Sequence, residues 1–136
     1  MTDATIQLVR DYYAAFDRGD TAAMLALLTD DVVHDINQDH REVGRDAFTA
    51  FMARMDRGYR ERIRDLVVMA TPDGARAAAE FVVEGSYLAT DAGLPEAKGQ
   101  TYSLPAGAFF ACRDGRIARV TNWYNLQDWL RQVGAG

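Results

Sequence analysis

Hydrophobic residues in the opening stretch return at helical intervals. Ile6, Val9, Tyr13 and Phe16 follow three- and four-residue steps, with Leu8 and Tyr12 beside the stripe. That spacing predicts one amphipathic helix over residues 3–18, closed by Gly19 in a left-handed cap. Asp20 or Thr21 then N-caps a second, shorter helix, AAMLALL. After Thr29 the pattern changes to the β-branched pair Val32 and Val33, a short strand. EVGRDAFTAFMARMDRGY returns to helical spacing, with Phe48, Phe51, Met52 and Met55 on one side and Gly58 at its end.

The rest of the chain reads as strands. RIRDLVVMA leads into TPDG, a turn with Pro second and Gly fourth. ARAAAEFVVEGSYLAT is a long strand, although its alanines leave a helix open for the first half. DAGLPEAKGQ is a loop. TYSLPAGAFFAC, the turn RDG and RIARVTNWYNL form a hairpin, with Pro105 marking a bulge or an edge. Asp128, Trp129 and Leu130 fall in a terminal helical turn. Three N-terminal helices followed by four long antiparallel strands predict an α+β fold. We expect one domain over residues 1–136, a cone-shaped curved antiparallel sheet with the helices on its concave face. No helix remains for the outer face, so a homodimer through that face is expected.

Composition narrows the partners. The 136 residues are 49% hydrophobic and 26% charged, enough to build a core, and the net charge of −5 argues against a nucleic-acid partner. Arg54, Arg57, Arg60, Arg62 and Arg64 alternate with Asp56, Glu61 and Asp65, which reads as a solvated, ion-paired face. The single cysteine, Cys112, excludes an internal disulfide and a cysteine-based zinc cluster, and its apolar surroundings predict an inert thiol. No apolar run approaches the roughly 20 residues of a membrane span, and MTDATIQLVRDYY lacks the pattern of a signal peptide. A cytoplasmic protein without a membrane partner is expected.

The densest chemistry lies in DDVVHDINQDH, residues 30–40. His34, Asp35 and Asn37 are either surface groups at a strand end or polar groups aimed into a pocket. The spacing of His34, Asp35 and His40 matches no familiar metal-ligand pattern, so no metal is expected.

RDYYAAFDRGDTAAMLALLTDDVV, followed by VGRDAF and by RDGRIARVTNWYNLQDW, resembles the nuclear-transport-factor-2-like superfamily over nearly the whole chain. Within it the chain is most similar to ketosteroid isomerase and the SnoaL-like cyclases. The resemblance implies that Tyr12 matches the isomerase's oxyanion-hole tyrosine. Asp35 matches its general base after a one-residue slip, and the slip decides whether Asp35 points into the cone. The isomerase's protonated aspartic acid aligns with Gly107, which has no side chain to donate from. The same alignment turns Val120, Asn122 and Tyr124 inward, with Glu80, Val82, Glu84, Ser103, Pro105, Gly107 and Phe109.

These implications define a cavity with Asp35, Tyr12, Asn122 and Tyr124 as the catalytic candidates. His34, Asn37, Phe16, Phe51, Met55, Glu80 and Phe109 would contact the substrate. A carboxylate among aromatic walls can carry a proton near neutral pH, and Tyr and Asn can donate to an enolate oxygen. The expected function is cofactor-free proton transfer α to a carbonyl in a small apolar molecule, as in an isomerase, cyclase or dehydratase. Two alternatives stay open: non-catalytic binding of a small hydrophobic ligand, and water addition of the epoxide-hydrolase kind.

Overall fold

The computed structural model describes residues 2–37 and 39–134. The helices are α1 (Thr2–Asp17), α2 (Thr21–Ala26), α3 (Arg45–Gly58) and α4 (Leu126–Gly134). The strands are β1 (Leu28–Asp35), β2 (Arg41–Val43), β3 (Tyr59–Ala70), β4 (Arg76–Tyr87), β5 (Gln100–Arg113) and β6 (Arg116–Tyr124). Gly19 adopts φ +72° between α1 and α2, and the Asp20 carboxylate accepts the Ala23 N–H at 3.1 Å to cap α2.

The strands form one six-stranded sheet in the order β2-β1-β6-β5-β4-β3. The long strands β3 to β6 are antiparallel, as expected from their short connections. β1 instead runs parallel to β6, because four strands and a helix separate the two in sequence and no tight turn dictates their sense. Two further elements extend the sequence reading. Arg41–Val43 adds a short edge strand, and the terminal turn lengthens into helix α4. Pro105 lies where β6 has run out, one residue beyond the Ala106–Tyr124 pair, so its missing N–H costs no bond to that neighbour.

Strand alternation sorts the side chains onto two faces. Phe110 on β5 is paired with Ala77 on β4 and Val120 on β6, and all three are buried beneath α1. Tyr13 lies 5.0 Å from Phe81 and 6.0 Å from Phe110, and Tyr12 meets Phe110 edge-on at 5.9 Å. The alanines Ala77, Ala79 and Ala108 are also buried and let the helix approach the sheet. A second cluster joins α4 to the other end of the concave face: Trp129 packs on Tyr87 and Tyr102, with Leu104 and Val133 around them.

This parity corrects the inward set expected on β4 and β5. The concave residues are Ala77, Ala79, Phe81, Val83 and Gly85, with Tyr102, Leu104, Ala106, Ala108 and Phe110 opposite them. Glu80, Val82, Glu84, Ser103, Pro105, Gly107 and Phe109 therefore belong to the outer face. Glu80 is exposed and Phe109 is half exposed there, alongside Val67, Met69 and Trp123. Gly107 consequently does not occupy the place of an inward donor. Among the described residues no helix is long and apolar enough to cross a membrane.

The face assignment has a direct test in denaturant unfolding. Phe110→Ala should cost about 3–5 kcal/mol, the usual range for removing a buried phenyl ring. Glu80→Ala on the neighbouring strand should stay within about 0.5 kcal/mol, as for an ordinary surface change. A large loss at Glu80 would invert the parity.

Candidate functional site

β1 carries His34 and Asp35 to opposite faces, which answers the register question. His34 pairs with Val120 of β6 and shares its concave side, whereas Asp35 pairs with Thr121 on the outer side. Arg41 grips the Asp35 carboxylate through two contacts of 2.6 and 3.2 Å, and the Thr121 hydroxyl donates to it at 2.7 Å. The Arg41 guanidinium, helped by Thr121, holds the Asp35 carboxyl below the usual carboxylate range. Asp35 is thus an ionised, paired group outside the cone, and the expectation of a base in the pocket is corrected.

His34 takes the interior position. It is 2% exposed, lies 4.5 Å from the Phe48 ring and meets the Phe51 edge at 4.7 Å. Asn122 Nδ2 sits 3.1 Å from His34 Nε2. An amide nitrogen only donates, so in this orientation Nε2 accepts and the proton resides on Nδ1, which is buried with no partner among the described residues. Burial pushes the imidazole down to about 4, despite the opposing charges of Glu42 and Asp35. Asn37 is also buried, and its Oδ1 accepts the Tyr124 backbone N–H at 2.8 Å, tying the end of β1 to the end of β6.

Tyr12 stands in the aromatic core rather than at a cavity wall. It is 4% exposed, and burial raises its hydroxyl pKa. Its expected role as a pocket donor is therefore corrected: the face of α1 that packs against Phe110 carries it away from open space.

The open space lies where the end of α1, α2, α3 and the start of β3 converge. A pocket of about 400 Å³ is walled by Phe16, Met24, Met52, Met55 and Tyr59, with Thr21, Arg18 and Arg60 toward its rim. Three carboxylates line it, Asp17 from α1, Asp56 from α3 and Glu61, and of these Glu61 comes from the concave sheet face. Phe16 and Met55, expected as substrate contacts, both line this space, whereas Phe51 packs on His34 instead.

The sequence pattern groups Glu61 with the ion-paired arginine face, and the structure separates them. The strand begins directly after Gly58, and its alternation sends Arg60, Arg62 and Arg64 out while Tyr59, Glu61 and Ile63 turn in. The signal was present as Tyr-x-Glu-x-Ile, a polar residue placed between two apolar ones at the two-residue period. Asp17 at the end of α1 secures this segment by accepting the Ile63 N–H at 2.8 Å.

Inside, the Tyr102 hydroxyl donates to Glu61 Oε2 at 2.5 Å. Burial raises the Glu61 pKa, and the Tyr102 bond partly offsets that rise by stabilising the anion. Tyr59 donates to Asp91 at 3.0 Å and stacks on Tyr87 at 5.3 Å. Tyr124 belongs to the same neighbourhood: burial raises its pKa, and the charges of Glu61 and Asp91 add to the rise. The structure therefore gathers Phe16, Met55 and Tyr124 near Glu61, places His34 with Asn122 and Phe51 deeper in the cone, and leaves Asp35, Glu80 and Phe109 outside.

A curved sheet closed by helices around such a pocket is the architecture of the nuclear-transport-factor-2-like superfamily. This chain belongs to the SnoaL-like domain family, whose model matches residues 9–120. The chain is similar to a candidate polyketide cyclase of Pseudomonas putida, with 62% identity, 98% of each chain covered and a TM-score of 0.95. It is also similar to a candidate polyketide cyclase of Xanthomonas campestris, at 57% identity over 96% of this chain and 97% of that one, with a TM-score of 0.94. A nuclear-transport-factor-2-like protein of Burkholderia pseudomallei shares the fold at 18% identity, covering 96% of this chain and 97% of its own, with a TM-score of 0.81. No curated protein matches the sequence.

The buried imidazole makes a pH-dependent prediction. A histidine with a depressed folded-state pKa stabilises the native state above its unfolded value and loses that contribution as pH falls. Between pH 6.5 and about 4, wild type should lose up to about 3 kcal/mol more stability than His34→Gln. Parallel stability curves for the two proteins in denaturant titrations would rule out a neutral buried His34.

Proposed function

We propose that this chain is a small-molecule enzyme that transfers a proton α to a carbonyl, with Glu61 as the base. The observation that carries this reading is a carboxylate at the wall of a pocket that also presents Phe16 and three methionines, held on one oxygen by Tyr102. A carboxylate in that setting binds a proton more strongly than in water and can exchange it with carbon acids near neutral pH. The volume suits a compact ligand, and the thioethers of Met24, Met52 and Met55 can adjust to a flat hydrocarbon skeleton.

In the proposed step, Glu61 takes the hydrogen from the carbon next to the carbonyl. The electron pair of the broken C–H bond forms a C=C bond, and the carbonyl π electrons move onto oxygen. Thr21 and Arg18 in the pocket lining can donate to that oxygen. Return of the proton at another carbon completes an isomerisation. Attack of the enolate carbon on a second carbonyl of the same molecule forms a C–C bond and an alkoxide, and return of the Glu61 proton to that alkoxide completes a cyclisation. The similarity to two candidate polyketide cyclases favours the second outcome and a substrate with several carbonyls.

Deuterium uptake tests this assignment. In heavy water with a panel of cyclic and 1,3-diketones, wild type should label the α carbon, and Glu61→Gln should slow labelling by about 10²-fold or more. Asp35→Asn should retain the wild-type rate. Labelling that survives in Glu61→Gln but vanishes in Asp35→Asn would return the base to β1.

We propose in addition that the outer sheet face pairs two copies of the chain. Its half-exposed Val67, Met69, Phe109 and Trp123 form the kind of surface that association removes from water. Sedimentation should show a wild-type dimer and a Trp123→Glu monomer. A monomeric wild type at high concentration would sink the pairing.

A further inference from the structure

Glu61, Gly85 and Tyr102 stand in one row across β3, β4 and β5: Glu61 is paired with Gly85, and Gly85 with Tyr102. Tyr102 is separated from Glu61 by a whole strand, roughly 10 Å at two strand spacings. Its side chain spans that gap by lying across β4 directly over Gly85. A Cβ at position 85 would stand 2.5 Å from both Cζ and Oη of Tyr102 and 2.8 Å from Cε2, closer than any side chain could tolerate. Glycine within a strand normally weakens it, and close approach of another group is a recognised reason for placing it there.

The ring itself has little freedom. Tyr102 is 4% exposed and packs edge-on against Trp129 at 6.0 Å, so the helix that closes the cone also holds the tyrosine down. Of the two Glu61 oxygens its hydroxyl engages Oε2, with Trp129 as a second partner of that hydroxyl, and among the described residues no donor meets Oε1. Because Glu61 lines the pocket, the two carboxylate oxygens have different tasks.

We propose that Tyr102 is a positioning residue: lying over the bare Cα of Gly85, it fixes the Glu61 carboxylate so that Oε1 is the oxygen offered to the substrate. The proposal rests on Glu61 as the base and adds which atom receives the proton and what orients it. In the transfer, the substrate hydrogen bonds to Oε1, while the hydroxyl stays on Oε2 and its bond weakens as the carboxylate is neutralised. The tyrosine thus stabilises the ionised form and keeps the base available at lower pH than burial alone would allow.

The decisive measurement is the titration of the Glu61 side-chain carboxyl carbon by NMR in wild type, Tyr102→Phe and Gly85→Ala. Tyr102→Phe preserves the ring and its packing on Trp129 but removes the donor. Its Glu61 midpoint should rise by about one pH unit or more, the size expected for a lost hydrogen bond to a charged group. Gly85→Ala should move it in the same direction by displacing the ring, and the double variant should add nothing further. An unmoved midpoint in folded Tyr102→Phe would overturn the proposal. The acid limb of the deuterium-uptake profile is read in parallel. If it follows the midpoint, Tyr102 acts through the base. If the midpoint moves while the limb stays, the positioning holds and the assignment of Glu61 as the base fails.

Discussion

Tyr13 packs 5.0 Å from Phe81 and 6.0 Å from Phe110, with Tyr12 wedged edge-on beside it, and this aromatic contact commits the sheet to one orientation under α1. Side chains alternate along a strand, so turning Phe81 and Phe110 inward decides every other position on β4 and β5. Pairing carries the decision outward. Phe110 brings Val120 inside, Val120 brings His34, and Val83 and Gly85 carry the same parity to Ile63 and Glu61. A slip of one residue anywhere in this chain of pairs would expose the core and bury the charges. The buried alanines beneath the helix make the arrangement compact, because bulkier groups there would lift α1 off the sheet.

The same parity separates the carboxylates by chemistry. Asp35 and Glu61 both sit at strand ends near the helices, yet one is held ionised by Arg41 and the other is drawn toward its protonated form by burial. Position on the sheet, rather than residue type, creates that contrast. His34 shows the complementary case: an imidazole surrounded by Phe48 and Phe51 gives up its charge and becomes part of the core. Glu61 differs from His34 in that it lines the pocket and that the neighbouring strand has no side chain at Gly85, where Tyr102 crosses to reach it.

Much of the architecture was legible in the sequence. The hydrophobic spacing of Ile6, Val9, Tyr13 and Phe16 encoded α1, Gly19 and Asp20 marked the join to α2, and the β-rich second half encoded the long antiparallel strands. The candidate site was legible only in pieces. Phe16 and Met55 lie at the pocket, and Asn122 and Tyr124 on the concave side, as the family resemblance implied. Asp35, Glu80 and Phe109 were misplaced by one position, the smallest error a strand allows and the one that reverses a face. Glu61 was overlooked because arginines flank it in sequence, although they leave it alone in space.

By itself, then, the sequence determined the periods: where the chain coils, where it extends, and which stretches must find an apolar partner. Those are local properties, set by spacing along a few neighbouring residues. The tertiary structure alone decided the phase of each strand, the parallel pairing of β1 with β6, and the meeting of Glu61 with Tyr102 across Gly85. Phase depends on partners far away in the chain, through the packing of helix against sheet and the register of strand against strand. A two-residue repeat is the same pattern whichever face it presents, until a helix covers one of them.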